Sequence, residues 1–315
     1  MQNRRKFIKL PPSNKRWGFI LPNKKIFHAL VLLLVVIVAT VLSYVLTRPV
    51  RYAVFAGYNK DGVIEPYVVT YLKGLDEVCD GIVYIADSNL KEGEEKKLYG
   101  INILHMEHKR HNEYDWGSYK RGYVWLRNNG YLDKASALIL ANDSTYAPIT
   151  SFKPMFKEME KRREIDFWGA SQNTQFTRHL QSYFLVFNKS VLKSRLLDPF
   201  IESVTTKPDN SYYIVEYETK LTPYLQNLGY KWDSYMPYKK LGYLPISDKN
   251  SYPLTIISKY NHQFLKRRTF TEKLMILENI EELLKYLKVN SPKIYENIVE
   301  AKHPRLKDML LKQGK

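Results

Sequence analysis

One cysteine, Cys79, occurs in 315 residues. That excludes an intramolecular disulfide and any cysteine-built metal centre of useful size. A chain this long can bury a sufficient core without such staples, so the single thiol does not fix the compartment. Acidic residues are missing altogether from the first fifty positions, which hold nine Lys and Arg. Residues 51–258 carry 27 basic and 25 acidic side chains, and residues 259–315 carry 13 and 7. The net charge of +17 therefore lies at the two ends. A nucleic-acid partner would want a basic face on the folded module, and none is expected. With 14 Gly and 15 Pro there is no low-complexity linker and no internal repeat, and neither a Walker motif nor a Rossmann fingerprint is present.

Long apolar runs are also scarce, with one exception. Ile26 to Thr47 is 22 residues without a formally charged side chain, and a membrane-spanning helix needs ~20. No small-residue cleavage site closes the run, which continues Tyr44-Val45-Leu46-Thr47-Arg48-Pro49, so it reads as a retained anchor rather than a cleaved signal peptide. A buried core helix is the alternative, but core helices are rarely apolar all round. Eight of the nine N-terminal positive charges precede the run. The positive-inside rule then predicts a basic cytoplasmic tail (1–25), a transmembrane helix (26–47) and a body across the lipid membrane. This is a single-pass type II arrangement, placed in the Golgi if the cell is eukaryotic.

Beyond Pro49 the pattern alternates. Strands are predicted at Arg51–Tyr58, Gly81–Ala86, Ile101–Met106, Ala137–Ala141, Asp166–Ala170 and Gln181–Asn188. Helices are predicted at Glu65–Val78, Glu92–Leu98, Trp116–Asn128 and Phe152–Arg163, and from Val191 onward. Such alternation predicts an α/β fold with a mostly parallel sheet and right-handed crossovers over residues 48–253. Leu274, Leu277, Ile280, Leu283, Leu284 and Leu287 follow helical spacing, which predicts a helical C-terminal subdomain over 254–315.

The stretch Ala137-Leu138-Ile139-Leu140-Ala141-Asn142-Asp143-Ser144 organises the rest. It reads as a central buried strand ending in small polar groups, and ligands of open α/β sheets bind just beyond the carboxyl ends of strands. A lone carboxylate, Asp143, beside the neutral oxygens of Asn142 and Ser144 suits Mg²⁺ or Mn²⁺ shared with a diphosphate. The competing role is a turn or helix cap. Gly57, at the end of the first strand, would permit close approach of a ligand or simply end the strand. In Asp115-Trp116-Gly117-Ser118-Tyr119-Lys120, Gly117 and Ser118 open a helix whose amides suit a phosphate. Lys120 adds positive charge there, and Asp115 either caps the helix or accepts from a sugar hydroxyl. His179 is a base candidate or a structural histidine. Glu216 and Glu218, two apart on a helix, diverge, so at most one faces a cleft.

These residues together resemble the rhamnan synthesis protein F family of glycosyltransferases. The resemblance runs through Ala53-Val54-Phe55-Ala56 with Asp61-Gly62, then Tyr114-Asp115-Trp116-Gly117-Ser118-Tyr119-Lys120, then Leu140-Ala141-Asn142-Asp143-Ser144 with Tyr146-Ala147-Pro148. It continues in Asp166-Phe167-Trp168-Gly169, in His179-Leu180-Gln181-Ser182-Tyr183-Phe184, and in Tyr217-Glu218 before Leu221-Thr222. It covers roughly residues 51–240. It implies a GT-A-like transferase using a nucleotide-diphospho-sugar donor, with dTDP-rhamnose suggested, and a polysaccharide or glycan acceptor. Asn142-Asp143-Ser144 would stand where such folds carry an Asp-x-Asp metal motif, although only Asp143 is acidic here.

The expectation is a membrane-anchored glycosyltransferase. Asp143, His179 and Glu218 are its catalytic candidates. Gly57, Asp115, Gly117, Ser118, Lys120 and Asn142 are donor-binding candidates, and Asp143 with Ser144 would meet the metal. The competing expectations are another nucleotide-sugar-processing enzyme on the same sheet and a noncatalytic membrane-tethered glycan-binding or adaptor protein.

Overall fold

The computed structural model describes residues 24–174, 176–236, 238–244, 248–271 and 275–306. Two compact units divide at Arg48 and Pro49. The first contains helix α1, Lys24–Thr47, so the apolar run is helical as expected. Its side chains are described without a break from Lys24 to Thr40, and the large apolar ones among them are exposed. That stretch alone is shorter than a span requires. Among the described residues no helix is long and apolar enough to cross a membrane. Residues 1–23 of the basic tail, and the side chains at 41 and 44–47, lie outside the described residues.

The second unit begins with β1 (Arg51–Gly57), α2 (Pro66–Asp76), β2 (Gly81–Ala86), β3 (Ile103–Glu107), α3 (Tyr114–Asn128), α4 (Tyr131–Lys134), β4 (Ala137–Asn142), β5 (Thr145–Tyr146) and α5 (Lys153–Glu160). It continues with β6 (Phe167–Gly169), β7 (Gln172–Asn173), β8 (His179–Leu180), β9 (Phe184–Asn188), α6 (Lys189–Ser194), α7 (Asp198–Glu202), α8 (Asn210–Tyr213) and α9 (Thr219–Asn227). β10 (Trp232–Ser234), α10 (Pro253–Tyr260), β11 (Leu265–Lys266), α11 (Ile280–Asn290) and α12 (Pro292–Glu300) complete it. Seven strands form one sheet in the order β10-β6-β9-β4-β1-β2-β3. All neighbours are parallel except β9, which runs antiparallel to both β4 and β6. This is the α/β fold with a mostly parallel sheet flanked by helices that the alternation predicts.

Both faces of the sheet are covered, which is why β2 and β4 read as unbroken apolar runs rather than alternating ones. Successive side chains still point to opposite faces. Ala53 and Phe55 of β1 pack with α2, α5 and the C-terminal helices, whereas Tyr52, Val54 and Ala56 pack with α3, α6 and α9.

The C-terminal stretch is helical in α10, α11 and α12, as expected, but not throughout. Leu265–Lys266 is extended and pairs antiparallel with β5 in the register Leu265↔Tyr146 and Lys266↔Thr145. Leu283 and Leu287 are buried in α11, as the periodicity requires. Leu277 precedes that helix and is exposed, and Leu274 lies outside the described residues.

Candidate active site

β1 and β4 end together, with Ala56 opposite Asn142, and β1 and β2 end with Gly57 opposite Ala86. The residues that follow these strands, Tyr58, Asp87 and Asp143, therefore meet at one carboxyl edge. The main chain is locked there by Asp87 N–H donating to Gly57 O (2.8 Å) and Asp143 N–H donating to Ala56 O (3.1 Å). Asp143 is buried, and its Oδ2 accepts from the Tyr58 N–H (2.9 Å) and the Tyr67 hydroxyl (3.5 Å). Burial raises its acid above the ordinary carboxylate value, while the Arg267 guanidinium and the Tyr58 N–H pull the other way.

Asp115 enters from the first turn of α3. Its Oδ2 accepts from the Asn142 side-chain amide, so it does not cap the helix. The loop before it is held by Asp87, whose carboxylate accepts from His111 N (2.7 Å), Asn112 N (2.8 Å) and Tyr114 N (3.2 Å). Tyr114 is thereby kept at φ 52, a left-handed conformation that a residue with a side chain rarely adopts. Asp87 was not among the expected site residues. Its strand-end position in Ala86-Asp87-Ser88 is the same signal that singled out Asp143.

From the opposite side come His179 of β8 and Glu218, the residue just before α9. His179 Nε2 lies 3.6 Å from Glu218 Oε1, and its Nδ1 is 2.7 Å from Thr177 O. Glu218 Oε2 accepts from the Ser182 N–H (2.9 Å) and from the Ser182 hydroxyl. Burial works against both charges, but the His179–Glu218 bond prevails: the histidine is raised and the glutamate lowered. The Glu216 side chain is 41% exposed and pairs with Lys220, so of the two glutamates only Glu218 faces inward.

The carboxyl of Asp115 is raised to about 7, first by burial and then by the charges of Asp143 and Glu218, with Lys266 and Asn142 opposing. Asp115, Asp143 and Glu218 are thus coupled through one low-dielectric space, and environment sorts them. Glu218 is held ionised, and Asp115 is poised near neutrality.

Other expected positions make contacts of their own. The ammonium of Lys120 donates to Val204 O (2.8 Å). A Cβ on Gly57 would come 2.7 Å from the Tyr84 hydroxyl, and one on Gly117 would come 2.2 Å from Glu113 Cβ. Both glycines are accounted for by packing. Ser118 is buried with its hydroxyl 3.0 Å from His111 Nε2, so it steadies the loop that carries Asp115.

Mg²⁺ and Mn²⁺ are held by one or two carboxylates together with substrate phosphates and waters. Asn142 Oδ1 already accepts from Ser144 N (3.1 Å) and Ser144 Oγ (2.7 Å), and Asp143 Oδ2 is engaged by Tyr58 and Tyr67. Among the described residues no group of three or more His, Cys, Asp or Glu gathers as a metal ligand set. Asn142-Asp143-Ser144 closes on itself as a turn, and among the described residues Asp143 Oδ1 takes no hydrogen bond.

The positive charge at the site comes from residues that sequence reasoning did not single out, Lys266 and Arg267. Arg267 N–H donates to Ser144 O (3.0 Å), and its guanidinium approaches Asp143 O (3.4 Å) and covers the Tyr67 ring (4.4 Å to the centroid). The Lys266 ammonium covers the Tyr183 ring at 3.7 Å.

The chain is 26% identical over 154 residues to the uncharacterized protein y4gN of Sinorhizobium fredii. That match spans 48% of this chain but 39% of the relative, so the chain covers about two fifths of the length of the curated relative it matches. Among solved structures it is similar to the mannosyltransferase PcManGT from Pyrobaculum calidifontis in complex with GDP-Man and Mn²⁺. That likeness has a TM-score of 0.40 and 10% identity, covering 85% of this chain and 79% of that one. It is also similar to a glycosyltransferase involved in glycosylation of the major capsid of PBCV-1, with a TM-score of 0.38 and 11% identity over 69% of this chain and 94% of that one. The family described as rhamnan synthesis protein F matches residues 82–314, and the chain belongs to it.

Proposed function

We propose that this member of a glycosyltransferase family moves a sugar from a nucleotide-diphospho-sugar to a glycan or polysaccharide acceptor, at the shared carboxyl edge of β1, β2 and β4. One observation carries the reading. Asp115, Asp143 and Glu218 converge there from three separate elements, and their environments drive two of them apart in acidity. A noncatalytic glycan-binding protein has no need to hold a carboxyl near 7 beside one kept ionised.

In the proposed reaction Asp115 takes the proton of the acceptor hydroxyl. The acceptor oxygen bonds to the anomeric carbon as the bond from that carbon to the diphosphate breaks, and the nucleoside diphosphate leaves with the electron pair. A base works best with an acidity near the operating pH. That favours Asp115 over Glu218, which is held ionised, while both ring nitrogens of His179 are taken up by Glu218 and Thr177 O. Rhamnose is the proposed donor sugar, on the strength of the family alone.

We also propose that α1 anchors the protein in a membrane with its N-terminus cytoplasmic. The nine basic and no acidic residues of the first fifty, together with the full apolar run Ile26–Thr47, support this. The test of function is a screen of nucleotide sugars, including dTDP-rhamnose, with free nucleoside diphosphate as the readout. No saturable nucleotide binding and no release by the wild-type protein would leave the adaptor reading standing.

A further inference from the structure

We propose that Lys266 and Arg267 form an anion subsite that takes the donor's diphosphate, so that the positive charge meeting this group comes from the end of β11 and the residue that follows it. The inference rests on the glycosyltransferase reading above. Lys266 is 8% exposed, and among the described residues its ammonium has no ion pair or hydrogen bond, only the face of Tyr183. The aliphatic stem is buried while the ammonium keeps contact with solvent, so an unneutralised positive charge is held at this edge with one cation–π contact. The arrangement becomes intelligible if an anion completes it.

Three further observations place that anion. First, β11 pairs with β5, which sets Lys266 opposite Thr145 and ties Arg267 N–H to Ser144 O. Two consecutive cations are thus delivered next to Asn142 and Asp143. Neighbouring strand positions point to opposite sides. Lys266 lies towards Tyr183, Glu218 and Asp115, and Arg267 towards Tyr67 and Asp143, so the pair straddles the strand end.

Second, each carboxylate near these cations already holds another partner. Glu218 is bound to His179 and Ser182, Asp248 to Asn250, Asp143 to Tyr58, Asp115 to Asn142 and Glu65 to Asn59. Third, the Asp115 carboxyl is raised to about 7, which reduces its repulsion of an incoming diphosphate. Arg267 brings planar, forked donors suited to phosphate, and Lys266 a compact point charge.

The experiment measures binding of inorganic pyrophosphate and of a panel of nucleoside diphosphates to the full-length protein by calorimetry, with chelator present, alongside melting temperatures. The variants are Lys266→Met, Lys266→Arg and Arg267→Met. The expected result is that wild-type protein binds pyrophosphate in chelator. Lys266→Met should bind at least about tenfold more weakly while melting no lower than wild type, because Met keeps the apolar stem against Tyr183 and no described hydrogen bond or ion pair is lost. Lys266→Arg should recover most of the binding.

Wild-type affinity in a folded Lys266→Met protein overturns the subsite. So does pyrophosphate binding that appears only when Mg²⁺ or Mn²⁺ is added. In both cases nucleoside diphosphate binding and sugar transfer by the wild type would leave the enzyme reading intact. Wild-type protein that neither binds any nucleoside diphosphate nor transfers sugar overturns both readings together.

Discussion

Replacing Asp115 by Asn should improve the fold and disable the reaction, and the two effects can be read separately. The amide keeps the shape and can still accept from Asn142, so the change is chiefly one of charge. Moving the acid from 3.8 to about 7 means that ionising it costs about 4 kcal/mol more in the fold than in water. The carboxyl is partly open to solvent, and screening reduces the usable figure to roughly half. The sign follows from proton counting. Between the unfolded value and about 7 the folded state holds the proton more tightly. Wild-type stability is therefore fully present at low pH, falls as pH rises through this window, and levels off above it. The amide of the Asp115→Asn variant cannot ionise and should remove that dependence. Calorimetric melts at pH 5 and pH 8 should then differ less for Asp115→Asn than for wild type, with the variant melting higher at pH 8. Transfer should fall by about 10²–10⁴-fold, the range for loss of a general base. Donor binding should survive, and the wild-type rate should climb as pH rises through about 7. A variant that transfers at the wild-type rate, or that melts below wild type at pH 8, refutes the assignment.

Three other outcomes are expected. Asp143→Asn should bring the Asp115 acid below about 7 and move the pH profile of transfer downward, with a near-normal melting temperature, since an amide oxygen still accepts from Tyr58 N–H; an unshifted profile in the folded variant would uncouple the two residues. Lys120→Met should leave the KM for donor unchanged and cost about 1–2 kcal/mol of stability, the hydrogen bond from a charged donor to Val204 O; a KM raised tenfold at unchanged stability would assign Lys120 to the phosphate. Removal of residues 1–47 should give a protein that stays dispersed without detergent, because the second compact unit begins at Pro49; continued need for detergent would place the main membrane contact outside α1.

What the sequence disclosed and what it withheld divide along a physical line. Strand ends are local events. Ala137–Ala141 followed by Asn142-Asp143 is an apolar run meeting polar groups, and the structure places that boundary where the pattern does. Glu218 was separable from Glu216 for a similar reason, since residues two apart on a helix face away from each other. The same geometry bears on Lys120. Five residues beyond Asp115, it is rotated roughly 140° around a helix of 3.6 residues per turn. One face cannot present both, and attention to that angle would have predicted a separate partner for Lys120, here Val204 O.

Acidity was not legible, because it is not local. Asp115 owes its value to burial, to Asp143 and to Glu218, residues that adjoin only after the sheet closes and α9 docks. The cations were hidden differently. Leu265–Lys266 is a two-residue strand, too short to show a period of two, and it lies inside a stretch whose periodicity is otherwise helical. Its conformation comes from the edge that β5 offers, and β5 is itself only two residues long. Neither segment would be extended alone. Their pairing fixes Ser144 O to Arg267 N–H and thereby brings the charge of the C-terminal stretch to the end of β4. The segment that reads as an appendage in sequence thus supplies positive charge to the end of β4, while the segment that reads as the site supplies one of its three carboxylates, Asp143.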